Sequence, residues 1–149
     1  MSASGLDTID RTVQKTHEWL NGVMGCLGIR DRRLAYVALR AVLHALRDRL
    51  TVDAAASLGA QLPLLVRGIY YEGWHPSGKP LRLRHVEEFL ALVEQEFGRD
   101  ELMDPEDAAR AVFHVLEQHI DPGENAKVVQ SLPQPLRDLW GLPPEQRDT

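Results

Sequence analysis

The chain has few of the features that mark disulfide-bonded, thiolate metal-binding or membrane-spanning proteins. Its single cysteine, Cys26, excludes an internal disulfide framework and a thiolate metal site. No apolar stretch reaches the roughly 18 residues of a membrane-spanning helix, and the densest, residues 62–71, is interrupted by Arg67. The first ten residues have no basic cluster followed by an apolar run, so no secretory signal is expected. We therefore expect a cytoplasmic protein that does not bind a membrane.

Sequence signatures of catalysis are also missing. The chain has no glycine-rich phosphate loop, no nucleophile elbow and no Cys-x-x-Cys pair. None of its serines has a histidine and an acid in a recognisable arrangement. These absences favour a noncatalytic protein that needs no cofactor.

The net charge of −5 is unevenly distributed along the chain. Residues 1–86 have 12 basic and 7 acidic side chains, whereas residues 87–149 have 5 and 15. Such an asymmetry can hold two halves together, orient a dimer or direct one face toward a partner. Nucleic-acid binding is disfavoured, because the pI is about 5.6 and the arginines do not form one stripe.

A comparison of the chain with itself reveals a repeat at a spacing of 70 residues. Of 59 positions aligned without gaps, 14 are identical. The identities include the Leu-Pro steps at 62–63 and 132–133 and three polar pairs: Arg40 with Arg110, His44 with His114, and Arg67 with Arg137. This register predicts an internal duplication. We expect one domain over residues 8–140, with repeats 12–70 and 82–140, a joining loop 71–81 and a flexible tail 141–149.

Each repeat has the pattern of a helical unit. Apolar residues recur at helical steps, and no segment alternates apolar and polar residues long enough to predict a strand. Gly28 and Gly98 are expected to end the first helix of each unit. Pro63 and Pro133 are expected either to kink the third helix or to start a fresh short turn. The fold prediction is an all-α bundle of two pseudo-twofold-related units of three to four helices each.

The repeated arginine and histidine residues are one candidate site. Arg40 and His44 are four residues apart, as are Arg110 and His114, so each pair lies on one helix face. The two pairs could converge to bind an anion or a metal. Alternatively, they could donate to carboxylates, such as Glu18 and Glu88, or to helix ends within each unit. The second interpretation is favoured, since a metal site would need further ligands beside the histidines.

An aromatic connector between the repeats is the second candidate site. It contains Tyr70, Tyr71, Trp74 and His75, and the second repeat has no full counterpart. Aromatic residues beside a loop are common anchors at protein interfaces. The alternative is that they only cover the junction between the units.

Three runs of the sequence resemble a known family: residues 41–50 (AVLHALRDRL), 60–63 (AQLP) and 67–74 (RGIYYEGW). They are similar to a bacterial family of uncharacterised proteins, domain of unknown function number 2267, over about Thr12 to Trp140. The resemblance implies a small helical protein and provides no activity or site to transfer.

The leading functional hypothesis is a noncatalytic protein-interaction or regulatory module with an unknown protein partner, and a homodimer is left open. The alternative is a small-ligand protein that binds an anion or a metal through the Arg-His pairs.

Overall fold

The structure is a computed structural model that describes residues 3–98 and 103–141, and within them it consists of helices without strands. In chain order the helices are α1 Asp7–Leu27, α2 Arg32–Arg49, α3 Val52–Ala60, α4 Leu64–Tyr71, α5 Val86–Gln95, α6 Pro105–His119, α7 Pro122–Gln130 and α8 Gln134–Arg137. The all-helical prediction is confirmed. None of these described helices combines the length and the apolar character that crossing a bilayer requires.

The helix ends follow mostly from local sequence. The Asp104 side chain accepts the Glu106 N–H at the start of α6, and α1 ends at Gly28, whose φ of 67° is left-handed. The prediction that Gly98 ends α5 is wrong. That helix ends at Gln95, and Glu96 follows in a right-handed conformation, because the Glu96 and Phe97 amides close a tighter turn onto Val93 and Glu94.

Helix α2 is the centre of the fold. Residues 41–47 are all buried, and seven consecutive positions cover nearly two turns of a helix, so α2 is enclosed on every side. It packs against α1, α4, α5 and α6, while α6 packs against α1, α2, α5 and α7. Helix α1 therefore covers α6 from the other half of the chain, and α5 covers α2. The buried residues form a single core that both halves share.

Several local structures recur at a spacing of 70 residues. Helices α3 and α7 begin and end 70 positions apart. Arg67 donates to the carbonyl oxygens of residues 60 and 62, and Arg137 donates to those of residues 130 and 132. Tyr70 donates to the backbone carbonyl of residue 55, and Trp140, 70 positions later, donates to the side-chain oxygen of residue 125. Pro63 and Pro133 each precede a new helix, one of the two expected outcomes.

The connection between the two halves is tied to the end of α2. Because α4 continues to Tyr71, the connection spans residues 72–85. The Leu81 N–H donates to the Asp48 carbonyl at 2.8 Å, and Arg49 Nε donates to the Leu83 carbonyl at 2.7 Å. Burial and the nearby Arg84 charge lower the pKa of Arg49.

Where α1 crosses α6, a glycine permits close packing. A Cβ atom added at Gly22 would lie 3.0 Å from Val115 Cγ2, whereas one added at Gly25 would meet no atom within 4 Å. Trp19 and His119 stack at the same crossing with ring centroids 5.1 Å apart. Burial lowers the pKa of His119, because the interior disfavours its charged form.

The crossing predicts opposite effects of two leucine substitutions in one helix. Gly22→Leu should lower the free energy of unfolding by about 1–3 kcal/mol, because the side chain overlaps Val115. Gly25→Leu should raise it by up to about 1 kcal/mol through helix propensity. Urea unfolding followed by circular dichroism measures both, and equal effects would contradict the packing of α1 on α6 through Gly22.

Candidate functional site

The structure places the two Arg-His pairs in different surroundings. Arg40 and His44 line a cavity of about 160 Å³, and the charged or titratable side chains there form what we call the polar cluster: Arg40, His44, Arg47, Asp48, Glu72 and Glu96. Arg110 lines a different cavity, of about 370 Å³, between α5, α6 and α8. His114 lines neither of these cavities.

Both ring nitrogens of His44 are bonded within the fold. Nδ1 lies 2.7 Å from Glu96 Oε1 and Nε2 lies 2.8 Å from the Ile69 carbonyl oxygen. Because a carbonyl oxygen can only accept, Nε2 is the donor in the bond to Ile69. His44 is 5% exposed. It therefore connects α2 to the end of α4 and to the residue after α5.

The arginines of the polar cluster are also paired. Arg47 is buried and donates to the carbonyl oxygens of Tyr70 and Glu72 at 2.8 and 2.9 Å, so it satisfies the C-terminal end of α4. Its guanidinium also pairs with Asp48. Arg40 contacts Glu72 at 3.1 Å and Glu96 at 3.4 Å.

Arg40 and His44 bond carboxylates and a helix end, as the second interpretation of the sequence expects. The carboxylates, however, are not the ones that it named. Glu72 and Glu96 take the place of Glu18 and Glu88 as partners of Arg40. Glu88 accepts backbone N–H groups at the start of α5 instead. The repeat could not reveal these partners, because Glu72 lies in the joining loop and Glu96 corresponds to a cysteine, Cys26, in the first repeat.

The second half of the chain does not reproduce the polar cluster. Arg110 pairs with Glu106 one turn earlier and donates to the Asp138 carbonyl. The His114 side chain makes no hydrogen bond to another described residue, and position 26, which corresponds to Glu96, is a cysteine. Over residues 3–98 and 103–141, no group of three or more histidine, cysteine or acidic side chains could hold a metal ion.

The aromatic connector packs onto the first half of the chain. Tyr70 is buried and donates its hydroxyl to the Ala55 carbonyl at 2.7 Å, and burial raises its pKa. Tyr71 covers Gly59, where a Cβ would collide with its ring. Trp74 stacks on Tyr71 with ring centroids 5.3 Å apart, whereas His75 is exposed.

A groove that the sequence analysis missed lies between α1, α2 and α4. We call this cavity of about 460 Å³ the apolar groove, and its lining residues are Ile9, Thr12, Val13, Tyr36, Leu64, Leu65, Gly68, Ile69 and Glu72. Leu64 is 53% exposed and Leu65 is 43% exposed. Among the described residues, seven large apolar side chains are exposed. Five of them line the apolar groove. Leu6 lies three residues before the lining residue Ile9, and Val52 lies elsewhere.

The cavity that contains Arg110 occupies the corresponding place in the second half of the chain. Five of its lining residues lie 70 positions after residues of the apolar groove: Glu106, Gln134, Pro135, Asp138 and Leu139. Tyr36 thus corresponds to Glu106, Leu64 to Gln134 and Gly68 to Asp138. The groove could have been found in the sequence from the positions at which one repeat has an apolar residue or glycine and the other a polar residue.

The contacts of the two histidines predict unequal roles in stability. His44→Ala should lower the free energy of unfolding by about 2–4 kcal/mol, because it removes a buried side chain together with its bonds to Glu96 and to the Ile69 carbonyl. His114→Ala, the matched control, should cost less than about 1 kcal/mol. In a double-mutant cycle by urea unfolding, His44→Ala and Glu96→Ala should couple by at least about 1 kcal/mol. Independent effects would contradict the bond between them.

No curated protein matches the chain. The model of the uncharacterised conserved protein family DUF2267 matches residues 16–139, which confirms the resemblance found in the sequence and covers both Arg-His pairs, the aromatic connector and most of the apolar groove. The chain therefore belongs to the DUF2267 family of uncharacterised conserved proteins.

Proposed function

We propose that this chain is a noncatalytic protein-interaction module, made by duplication of a four-helix unit, and that the apolar groove of the first unit binds a protein partner. The observation that carries the proposal is the difference between two corresponding cavities of the same fold. One is lined by Tyr36, Leu64 and Gly68, the other by Glu106, Gln134 and Asp138.

This difference indicates which side chains the fold requires for packing and which are available to bind a partner. The polar side chains of the second cavity indicate that the surrounding helices can pack without apolar residues at these positions. Exposed leucines at 64 and 65 therefore contribute little to the fold, and water disfavours them. A contiguous apolar patch of several hundred Å² on a protein surface is typical of an interaction site.

The duplication is supported by contacts as well as by sequence. The hydrogen bonds of Arg67 and Arg137 end on carbonyl groups 70 positions apart. Each first helix covers the second helix of the other unit, as expected for two units related by a pseudo-twofold axis. One unit could then acquire a binding surface while the other kept polar side chains at positions 106, 134 and 138.

The polar cluster supports a structural role in preference to ligand binding. Arg40 would have to leave Glu72 and Glu96 to bind an anion, and both nitrogens of His44 are already bonded. The anion or metal alternative therefore has less support than protein binding. The contacts of Arg40 and Arg47 within the fold also weaken the case for nucleic-acid binding.

Site-specific photocrosslinking tests the proposal with a matched control. A benzophenone side chain at position 64 should give covalent adducts with protein in cells that make this chain. The same side chain at position 134, in the corresponding cavity, should give none or far fewer. Denaturing electrophoresis followed by mass spectrometry of the adducts measures both. No adducts at 64, or equal adducts at both positions, would contradict the proposal.

A further inference from the structure

We infer that the occupant of the apolar groove is a second copy of this chain, so that the protein forms a twofold dimer through α1 and α4. The inference rests on the proposed function and names its partner. In an isologous dimer one patch contacts itself, so it must carry both projections and the recess that receives them. The shape, the charge and the size of the patch each bear on this requirement.

The apolar groove and the exposed side chains beside it provide both projections and a recess. Leu64 projects from the first turn of α4 and is 53% exposed, and Leu6 projects beside the start of α1 and is 63% exposed. Between α1 and α4 the cavity reaches Gly68, where a Cβ would meet no atom within 4 Å. Packing inside the chain therefore does not require a glycine in α4, although glycine weakens a helix. It leaves room for a leucine from the opposite copy.

The charges around the groove also fit a second copy. Side chains of both signs lie within one helical turn of its lining residues, among them Asp7, Asp10, Arg11, Arg33 and Glu72. A rim of one sign would favour a partner of the opposite charge and would repel its own copy. A mixed rim allows a twofold axis to bring acids of one copy near bases of the other.

The apolar area matches what a stable dimer needs. The six exposed side chains at the groove present on the order of 500 Å² of apolar surface, judged from their exposed fractions. A standard interface takes about 800 Å² from each partner, a little over half of it apolar. The patch is thus large enough for a whole interface without a contribution from the second half of the chain.

Sedimentation of the purified full chain tests the inference. The wild type should have twice the 16.8 kDa mass of one chain at micromolar concentration. Leu64→Gln combined with Gly68→Asp introduces the side chains found at 134 and 138. The pair should raise the dimer dissociation constant by about 100-fold or more, because each change counts twice across a twofold axis. Gln134→Ala with Asp138→Ala, on the corresponding surface, should leave the dissociation constant unchanged.

Two outcomes would overturn the inference. One is a wild type that remains monomeric at about 200 µM, well above a useful dissociation constant for a dimer. The other is a dimer whose dissociation constant the paired change at 64 and 68 does not alter, with circular dichroism showing that the variant is folded. If the chain is monomeric but photocrosslinks at position 64 to another protein, the dimer is excluded and the proposed function stands.

Discussion

The fold depends on the enclosure of α2. A helix that is buried over nearly two turns must find apolar neighbours and hydrogen-bond partners on every side, and the helices before and after it in one half are too few to provide them. The second half supplies α5 and α6, and the first half in turn supplies α1 to cover α6. Within this enclosure each side-chain nitrogen of His44 and Arg47 has at least one hydrogen-bond partner. The polar cluster thus belongs to the architecture and holds α4 and α5 against the central helix.

Corresponding helices of the two halves carry different side chains at the cluster and at the groove. The first has the polar cluster inside and the apolar groove outside, and Glu72 lines both. The second has Glu106, Gln134 and Asp138 in the cavity at the place of the groove and a cysteine at the position of Glu96. In the proposed duplication, one unit supports the core while the other also presents a surface to a partner.

The sequence predicted the helices well, because their signals are local. The cap at Gly28 and the breaks at Pro63 and Pro133 lie in the chain where the helices end or begin. The site was harder to predict because it depends on contacts over long distances. Glu96 meets His44 across 52 residues, and the groove combines residues of three helices, of which none shows an unusual apolar stripe alone. The prediction for the end of α5 was wrong because a tight turn closes that helix before Gly98.

The central claim is that each half buries the apolar surface of the other. The most direct measurement makes residues 1–78 and 79–149 as separate chains and follows their thermal unfolding by circular dichroism, alone and mixed. Because α2 and α6 would each lose neighbours, neither half should unfold cooperatively as a monomer, and the equimolar mixture should regain a cooperative transition. A half that folds alone as a stable monomer would contradict the claim.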